Sequence, residues 1–326
     1  MKGQMNKRLI QLIRFSPLLI LLILYAAIAI IDSSVLKVAS VVQILVQSST
    51  IVLLAMPVMV FLISGNMDMS ASYGTSFYAV LLGKVLDSTG SLAIAVAATC
   101  GAALLVGIFN GIFVGIFEVP SFIVTLASMS IIQGLLLVTA STKSIIITNS
   151  VLKFIGAGKL FGIPMMLIYT AVIVALVWFI MRYTRFGANV YALGCNLNAA
   201  RVSGVNIVEQ QIKIFVFSAL FTALTSITLA ARVSIVSPSI GGTTFLLNAV
   251  TACIIGGTSS SGGKGTVWGA IAGAITVGTI SFIMTAFGVV PNLVSVVQAT
   301  IVIAALLIDV FLNRLRESLE RGVKVV

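Results

Sequence analysis

The side chains that most often perform chemistry in proteins are scarce in this sequence. Its 326 residues include no histidine, three cysteines and eight acidic residues. Without histidine, no imidazole can act as a general acid or base, bind a metal ion or relay a proton. Cys100, Cys195 and Cys253 are far apart and show no metal-ligand spacing, which favours a role as small buried hydrophobic side chains. The sequence therefore argues against an enzyme and against a metal site.

One glycine-rich segment has a superficial likeness to a phosphate-binding loop. It reads Gly262-Gly263-Lys264-Gly265-Thr266. The first glycine of the G-x-x-x-x-G-K-[ST] pattern would fall on Thr258, however, and Gly265 follows the lysine. We therefore predict a flexible cytoplasmic turn and no nucleotide site. The glycines of this turn are Gly256, Gly257, Gly262, Gly263 and Gly265.

Six polar residues lie within or at the edge of apolar segments, where each needs a hydrogen-bond partner. They are Asn66, Asp68, Asn110, Thr125, Gln133 and Asn248. Most such residues bond across helices, but amides and hydroxyls with almost no fixed charge also suit a translocation path for an uncharged, hydroxyl-rich solute. Asp68 could serve such a path, although a carboxylate that caps a turn or starts a helix is the favoured interpretation.

Membrane-spanning helices are the elements that must position these residues. The composition is 60% hydrophobic and 8% charged, and the mean hydropathy is +1.21. The apolar runs are long enough to cross a bilayer and lack the alternation of barrel strands. We predict an all-α polytopic membrane protein with a single membrane domain over residues 1–326. Its ten predicted spans are Ile13–Ile31, Val41–Ser64, Met69–Leu86, Ser91–Phe117, Pro120–Ala140, Ile163–Met181, Ile212–Ala231, Phe245–Ile255, Thr266–Phe287 and Leu293–Leu312.

The third and eighth of these spans are short or flanked by glycine, which leaves a count of eight to ten. Glycines at intervals of four residues predict close helix packing, as at Gly107, Gly111 and Gly115. Two groups of four spans, residues 41–140 and 212–312, enter the membrane from opposite sides. Similarity between them would be an inverted repeat around a central pathway, which is common in transporters.

The basic residues predict the orientation in the membrane. With ten spans both termini share a side, and thirteen of the nineteen Lys and Arg residues fall on that side together with the polar segment 183–211. The six on the other side are Lys37, Lys84, Lys143, Lys153, Lys159 and Arg232. Because positive residues favour the cytoplasmic side, both termini and the 183–211 segment are predicted to be cytoplasmic. The net charge of +11 is then a topology signal and does not indicate nucleic-acid binding.

The chain offers few groups that could supply the energy for uphill transport. Only Asp68, Glu118 and Asp309 are acidic residues near or within the spans, which is few for binding a coupling ion. Energy would then enter from another polypeptide through a cytoplasmic contact, for which the 183–211 segment is the candidate. The alternative to such a partner-driven transporter is a secondary active transporter, which would move a small polar solute by using an ion gradient.

Four motifs occur between residues 64 and 269. They are Ser64–Ser70 (SGNMDMS), Pro120–Ala127 (PSFIVTLA), Gly194–Val205 (GCNLNAARVSGV) and Ile254–Gly269 (IIGGTSSSGGKGTVWG). Together and in this order they resemble the signature segments of ribose-type ABC importer permeases, in the branched-chain amino acid/ribose permease superfamily. Phe245-Leu246-Leu247 stands where that family commonly has Tyr-Glu-Leu, and Gln133 where Arg is frequent, so the cargo is left open.

The resemblance implies a permease subunit that forms the translocation pathway for ribose or a related small sugar in the bacterial plasma membrane. The implied partners are a cytoplasmic ATPase that binds ATP and Mg²⁺, a second permease subunit, an extracytoplasmic sugar-binding protein and the lipid bilayer. This chain itself is expected to bind no cofactor or metal. The resemblance also implies that the 183–211 segment holds a coupling helix that docks on the ATPase. Its coupling residues are Asn196, Asn198, Ala199, Ala200, Arg201, Ser203 and Gly204.

Overall fold

Eleven helices make up most of the described chain. The structure is a computed structural model that describes residues 37–140 and 144–290, together with isolated residues between 293 and 307. The predicted first span, Ile13–Ile31, lies outside these residues, as does most of the tenth, Leu293–Leu312. The helices are α1 (Val38–Ser64), α2 (Ser70–Thr89), α3 (Leu92–Gly115), α4 (Ser121–Ala140), α5 (Ser150–Ala157), α6 (Met165–Tyr183), α7 (Arg185–Cys195), α8 (Leu197–Val202), α9 (Ile207–Val233), α10 (Thr243–Ile255) and α11 (Val267–Ala286).

Four two-residue strands form two short antiparallel ladders in the connections between helices. β1 (Ile145–Ile146) pairs with β4 (Ile235–Val236), and β2 (Lys159–Leu160) pairs with β3 (Ile163–Pro164). The prediction of a helical membrane protein is confirmed for the body of the molecule. The ladders add a small correction to "all-α", because two-residue strands leave no alternating pattern to detect.

Six helices of the described residues are long and apolar enough to cross a membrane, namely α1, α3, α4, α6, α9 and α11. Helix α10 has 13 residues, and at 1.5 Å per residue it is too short to cross a hydrocarbon core of about 30 Å. Helix α2 has 20 residues but is rich in Ser and Thr. These two are the third and eighth predicted spans. The count of ten spans and the inverted repeat stay predictions.

Helices α1 and α9 form the core of the bundle, since most of their residues are buried, whereas α3 and α4 bury one face each. The buried face of α3 lies against α9. A Cβ added to Gly107 would lie 2.9 Å from the Phe215 carbonyl oxygen, and one added to Gly111 would lie 2.7 Å from the Ile212 Cα. The glycine spacing therefore lets the two main chains touch.

The outward faces of the peripheral helices are apolar. Along α3 and just beyond its end, the rings of Phe109, Phe113 and Phe117 contact one another in sequence on an exposed face. An apolar face of this kind is expected where a membrane helix meets lipid.

Several connections converge at one end of the bundle, which we call the loop end. It consists of the α1–α2 turn (65–69), the α3–α4 turn (116–120), α7, α8 and the glycine turn (256–266). The Gly263 N–H donates to the Ile63 carbonyl oxygen at 2.8 Å, and the Tyr191 hydroxyl donates to the Gly265 carbonyl oxygen at 2.9 Å. Burial raises the pKa of Tyr191, so its hydroxyl stays protonated and donating near neutral pH.

The basic residues of the described ranges divide evenly between the two ends. The loop end carries Arg182, Arg185, Arg201, Lys213 and Lys264, and the opposite end carries Lys37, Lys84, Lys153, Lys159 and Arg232. The predicted excess of positive charge therefore depends on the terminal segments, which lie outside the described residues. The cytoplasmic location of the loop end stays a prediction.

Candidate functional site

Asp68 lies in the α1–α2 turn, just before α2 begins at Ser70. Its Oδ1 accepts hydrogen bonds from the Ser70 backbone N–H, at 2.9 Å, and from the Ser70 hydroxyl. Its Oδ2 accepts from the hydroxyl of Ser218, on α9, at 3.2 Å. A carboxylate at a helix N-terminus is stabilised by the unpaired N–H groups and the helix dipole. Both oxygens of Asp68 are thus engaged by donors from two helices.

Asn110, which is buried on α3, extends this network to α4. Its side-chain amide donates to the Ser70 hydroxyl at 3.2 Å and accepts from the Ser128 hydroxyl. Because polar groups in a membrane interior are costly without partners, this chain of bonds fixes α2, α3 and α4 relative to one another. We call Asp68, Ser70, Asn110, Ser128 and Ser218 the Asp68 cluster.

Thr125 and its neighbour Ser121 hold the backbone of the same turn from α4. The Met67 N–H donates to the Ser121 hydroxyl and the Met69 N–H donates to the Thr125 hydroxyl, each at 3.1 Å. The backbone on both sides of Asp68 is therefore bonded to the first two turns of α4.

Asn66 connects the turn to the start of α9. Its side-chain amide donates to the Gln211 side-chain oxygen at 2.9 Å and to the Ser64 hydroxyl at 3.0 Å. Both Asn66 and Gln211 are buried. The α1–α2 turn is thus tied to α4 on one side and to α9 on the other.

The structure brings together four of the six predicted pathway residues and leaves Gln133 and Asn248 apart. The four are Asn66, Asp68, Asn110 and Thr125. Gln133 lies eight residues beyond Thr125, about 12 Å further along α4. On α10, Leu246 and Val250 face the Asp68 turn, and Asn248 lies between them on the other side of that helix. Sequence reasoning missed Ser70, Ser128 and Ser218, because serine is common in these helices and nothing in its spacing marks the residues that reach across. It also missed Gln211, which is the last residue of the polar 183–211 segment and does not stand out there.

A small cleft of about 30 Å³ opens beside Asp68. Its polar groups come from Asn66, Asp68 and Ser218, and its other walls are mainly apolar. This space is comparable to that of one or two water molecules, so the cleft is closed to a sugar-sized solute in this arrangement. The lining residues are Val58, Phe61, Leu62, Asn66, Met67, Asp68, Met69, Ala71, Ser218, Leu246 and Val250.

The 183–211 segment folds into α7, α8 and the start of α9. The Asn196 side chain caps α8 by accepting from the Ala199 N–H at 3.0 Å. Ala200 is buried, while the remaining predicted coupling residues, Asn196, Asn198, Ala199, Arg201, Ser203 and Gly204, are exposed. Arg201 forms an ion pair with Glu118 of the α3–α4 turn at 3.4 Å. Helix α8 is therefore a short exposed helix that is anchored by one alanine and one ion pair.

The glycine turn packs against the end of α1 and against α7. A Cβ on Gly194, in α7, would overlap the Ile63 carbonyl oxygen, and one on Gly265 would lie 2.8 Å from the Ile63 Cγ1. Gly263 takes a φ of +73°, in the left-handed region that favours glycine. Three stretches of main chain, around Ile63, Gly194 and Gly263, thus meet without intervening side chains; we call this the glycine junction.

No cluster of potential metal ligands occurs in the part of the chain that the structure describes, where no three His, Cys, Asp or Glu side chains come together. The site is built from hydroxyls, amides and one carboxylate. Such groups can hydrogen-bond a polar solute or hold helices in place, and the positions of their partners show that they hold helices in this arrangement.

Comparison with known proteins extends over nearly the whole chain. The family described as "Branched-chain amino acid transport system / permease component" matches residues 40–306. The galactose/methyl galactoside import permease protein MglC of Salmonella typhimurium is 31% identical over 310 residues, covering 89% of this chain and 92% of that protein. The autoinducer 2 import system permease protein LsrC of Escherichia coli O9:H4 is 30% identical over 309 residues, covering 95% of this chain and 89% of that protein.

MglC of Haemophilus influenzae is similar to the same degree, at 31% identity over 310 residues. No solved structure matches the chain. The matched range takes in the Asp68 cluster, α7, α8 and the glycine turn, and it confirms the resemblance that the four motifs indicate. The chain belongs to the family of branched-chain amino acid transport system permease components.

Proposed function

We propose that this chain is the membrane-spanning permease subunit of an ATP-driven importer for a small sugar such as galactose or ribose. It works in the bacterial plasma membrane with a separate ATPase, a second permease subunit and an extracytoplasmic binding protein. The observation that carries the proposal is the similarity, over about nine-tenths of the chain, to proteins named as import permeases. ATP and Mg²⁺ bind to the ATPase subunit, and this chain has no catalytic role.

The groups at the cleft favour a neutral, hydroxyl-rich solute over an amino acid. A zwitterion needs a partner for each of its charges, and Asp68 is the one ionisable residue that lines the cleft. Amides and hydroxyls, such as those of Asn66 and Ser218, can both donate and accept, which suits sugar hydroxyls. The similarity to MglC, which is named as a galactose/methyl galactoside import permease, supports the same class of solute.

The contacts of Asp68 argue against the alternative of an ion-driven secondary transporter. A carboxylate that binds Na⁺ must turn free lone pairs toward the ion. Here three of the roughly four lone-pair sites of the carboxylate are occupied, since Oδ1 accepts two hydrogen bonds from Ser70 and Oδ2 accepts one from Ser218, which leaves one site for an ion. Energy that enters from an ATPase avoids the need for such an ion site.

The exposed face of α8 is the proposed contact with the ATPase. Small or short residues such as Ala199, Ser203 and Gly204 let a partner approach closely, and Arg201 offers a charge to it. Closure of the ATPase would move α8, open the closed cleft and switch access from one side of the membrane to the other. In this proposal the loop end and both termini face the cytoplasm.

Uptake by proteoliposomes tests the proposal. The chain is reconstituted alone, and also with the ATPase that co-purifies with it and the binding protein, and radiolabelled galactose, ribose and leucine are supplied. We expect ATP-dependent uptake of a sugar by the full assembly only, and its loss when Gly204 is changed to Glu. Uptake by the chain alone under an ion gradient would contradict the proposal, and ATP-dependent uptake of leucine would contradict the solute class.

A further inference from the structure

The Glu118–Arg201 ion pair joins two elements that are far apart in the sequence. Arg201 Nη2 lies 3.4 Å from Glu118 Oε1, across 83 positions of chain. The other ion pair among the described residues, Lys213–Glu209, lies within α9 and joins nothing else. The Glu118–Arg201 pair thus links α8 to the α3–α4 turn.

Helix α8 has little else to fix it to the bundle. It is six residues long, and Ala200 is its one buried residue. Val202, next to Arg201, is 90% exposed. A movement of α8 therefore reaches the bundle through the chain on either side, through Ala200 and through the ion pair.

Glu118 occupies a backbone position that disfavours a side chain. Its φ is +53°, in the left-handed region where a Cβ meets the backbone and glycine is preferred. Glycine would form this turn more easily, so the shape of the turn does not require the Glu118 side chain.

The α3–α4 turn is directly continuous with the residues that hold Asp68 in place. Ser121 and Thr125, in the first two turns of α4, accept hydrogen bonds from the Met67 and Met69 N–H groups. A shift of the α3–α4 turn is therefore transmitted to the backbone on both sides of Asp68.

We propose that Glu118 is a positioning residue for transport, which holds α8 to the α3–α4 turn so that movement of α8 reaches the Asp68 cluster. This inference rests on the proposed function, in which the ATPase moves α8. The side chains of Arg201 and Glu118 are 57% and 76% exposed, so their pair contributes little to stability. Its loss affects coupling and leaves folding intact.

The test measures sugar uptake and ATP hydrolysis by the full reconstituted importer. In Glu118→Gln and Glu118→Gly we expect uptake to fall about fivefold while ATP hydrolysis and the midpoint of thermal unfolding stay close to those of the wild type. Glu118→Asp, which keeps the charge, should retain more uptake than either. The glycine variant is decisive, since a residue that only shapes the turn would be replaced by glycine without loss.

Lys213→Gln is the matched control. It breaks an ion pair whose side chains are 55% and 57% exposed at the same end of the bundle, but within one helix. We expect it to transport like the wild type. If the Glu118 variants also transport like Lys213→Gln, the inference is overturned while the proposed function stands. If the wild-type assembly itself shows no ATP-dependent uptake, the proposed function fails and the inference fails with it.

Discussion

At the scale of single residues, the polar interior is organised around Asp68. Its carboxylate, the Ser70 hydroxyl and the Asn110 amide form one continuous network across α2, α3, α4 and α9. A network of this kind is rigid when every member is satisfied, and the removal of one member leaves another buried and unpaired. The effect of a substitution therefore depends on whether the side chain reaches across to another helix.

Two serines of α9 allow a comparison between a side chain that bonds to another helix and one that bonds within its own helix. The Ser218 hydroxyl bonds to Asp68 across helices, whereas the equally buried Ser226 hydroxyl bonds to the Thr222 carbonyl of its own helix. We predict that Ser218→Ala lowers the free energy of unfolding by about 1–3 kcal/mol and reduces uptake, because it leaves a carboxylate oxygen without that donor. Ser226→Ala, which removes the same atoms, should cost less than about 1 kcal/mol. Thermal unfolding in detergent measures both, and equal losses would contradict the role of Ser218.

Sequence reasoning could find Asp68, Asn110 and Thr125 because amides, acids and buried hydroxyls stand out within apolar segments. It could not find Ser218, because most serines and threonines of membrane helices bond to a carbonyl one turn earlier in the same helix, as Ser226 does. Which serine is the exception depends on the helix that lies opposite, and a single sequence does not contain that information.

At the scale of elements, the hydropathy pattern located the longer helices of the described residues well but not always their ends, and it gave no sign of the short helices α5, α7 and α8. Predicted Ser91–Phe117 and Pro120–Ala140 agree with α3 and α4 within two residues. Helix α9 begins at Ile207, five residues before the predicted span, because Asn206 caps it and its first turns carry Glu209, Gln210 and Gln211. A polar first turn is invisible to hydropathy, although the cap is a detectable signal.

Helix α3 provides a matched pair of glycines for testing its contact with α9. Gly111 would place a Cβ 2.7 Å from the Ile212 Cα, whereas Gly101 in the same helix has open space around it. We predict that Gly111→Ala destabilises the protein by about 1–3 kcal/mol through overpacking. Gly101→Ala should be neutral or stabilise by about 0.5–1 kcal/mol, since alanine favours the helix. Unfolding midpoints of the two variants would refute the predicted contact if they shifted in the same direction.

At the scale of the whole molecule, the class of protein and its family followed from composition and from four short motifs. The orientation of the bundle in the membrane did not follow from the part of the chain that the structure describes. There the loop end and the opposite end of the bundle carry equal numbers of basic residues. The predicted orientation depends on the basic residues of the two terminal segments. Charge bias in such flanking segments sets topology without affecting how the bundle packs.

Labelling with a membrane-impermeant maleimide tests the orientation. In a variant whose three cysteines are replaced by alanine, single cysteines are introduced at Phe161, which is 96% exposed at the end opposite α8, and at Val202 in α8. We expect Phe161→Cys to react in intact cells and Val202→Cys to react only after the membrane is permeabilised. The reverse pattern would place the loop end outside and would be incompatible with docking of a cytoplasmic ATPase.

The glycine junction also determines which parts of the protein can move independently. Where side chains separate two helices, rotamer changes can absorb a small displacement, but main chains in direct contact have no such freedom. The end of α1, helix α7 and the glycine turn meet in this way at Ile63, Gly194 and Gly263. We therefore expect these three segments to move together, so that a displacement beginning in α7 is passed to the end of α1, where Phe61 and Leu62 line the cleft.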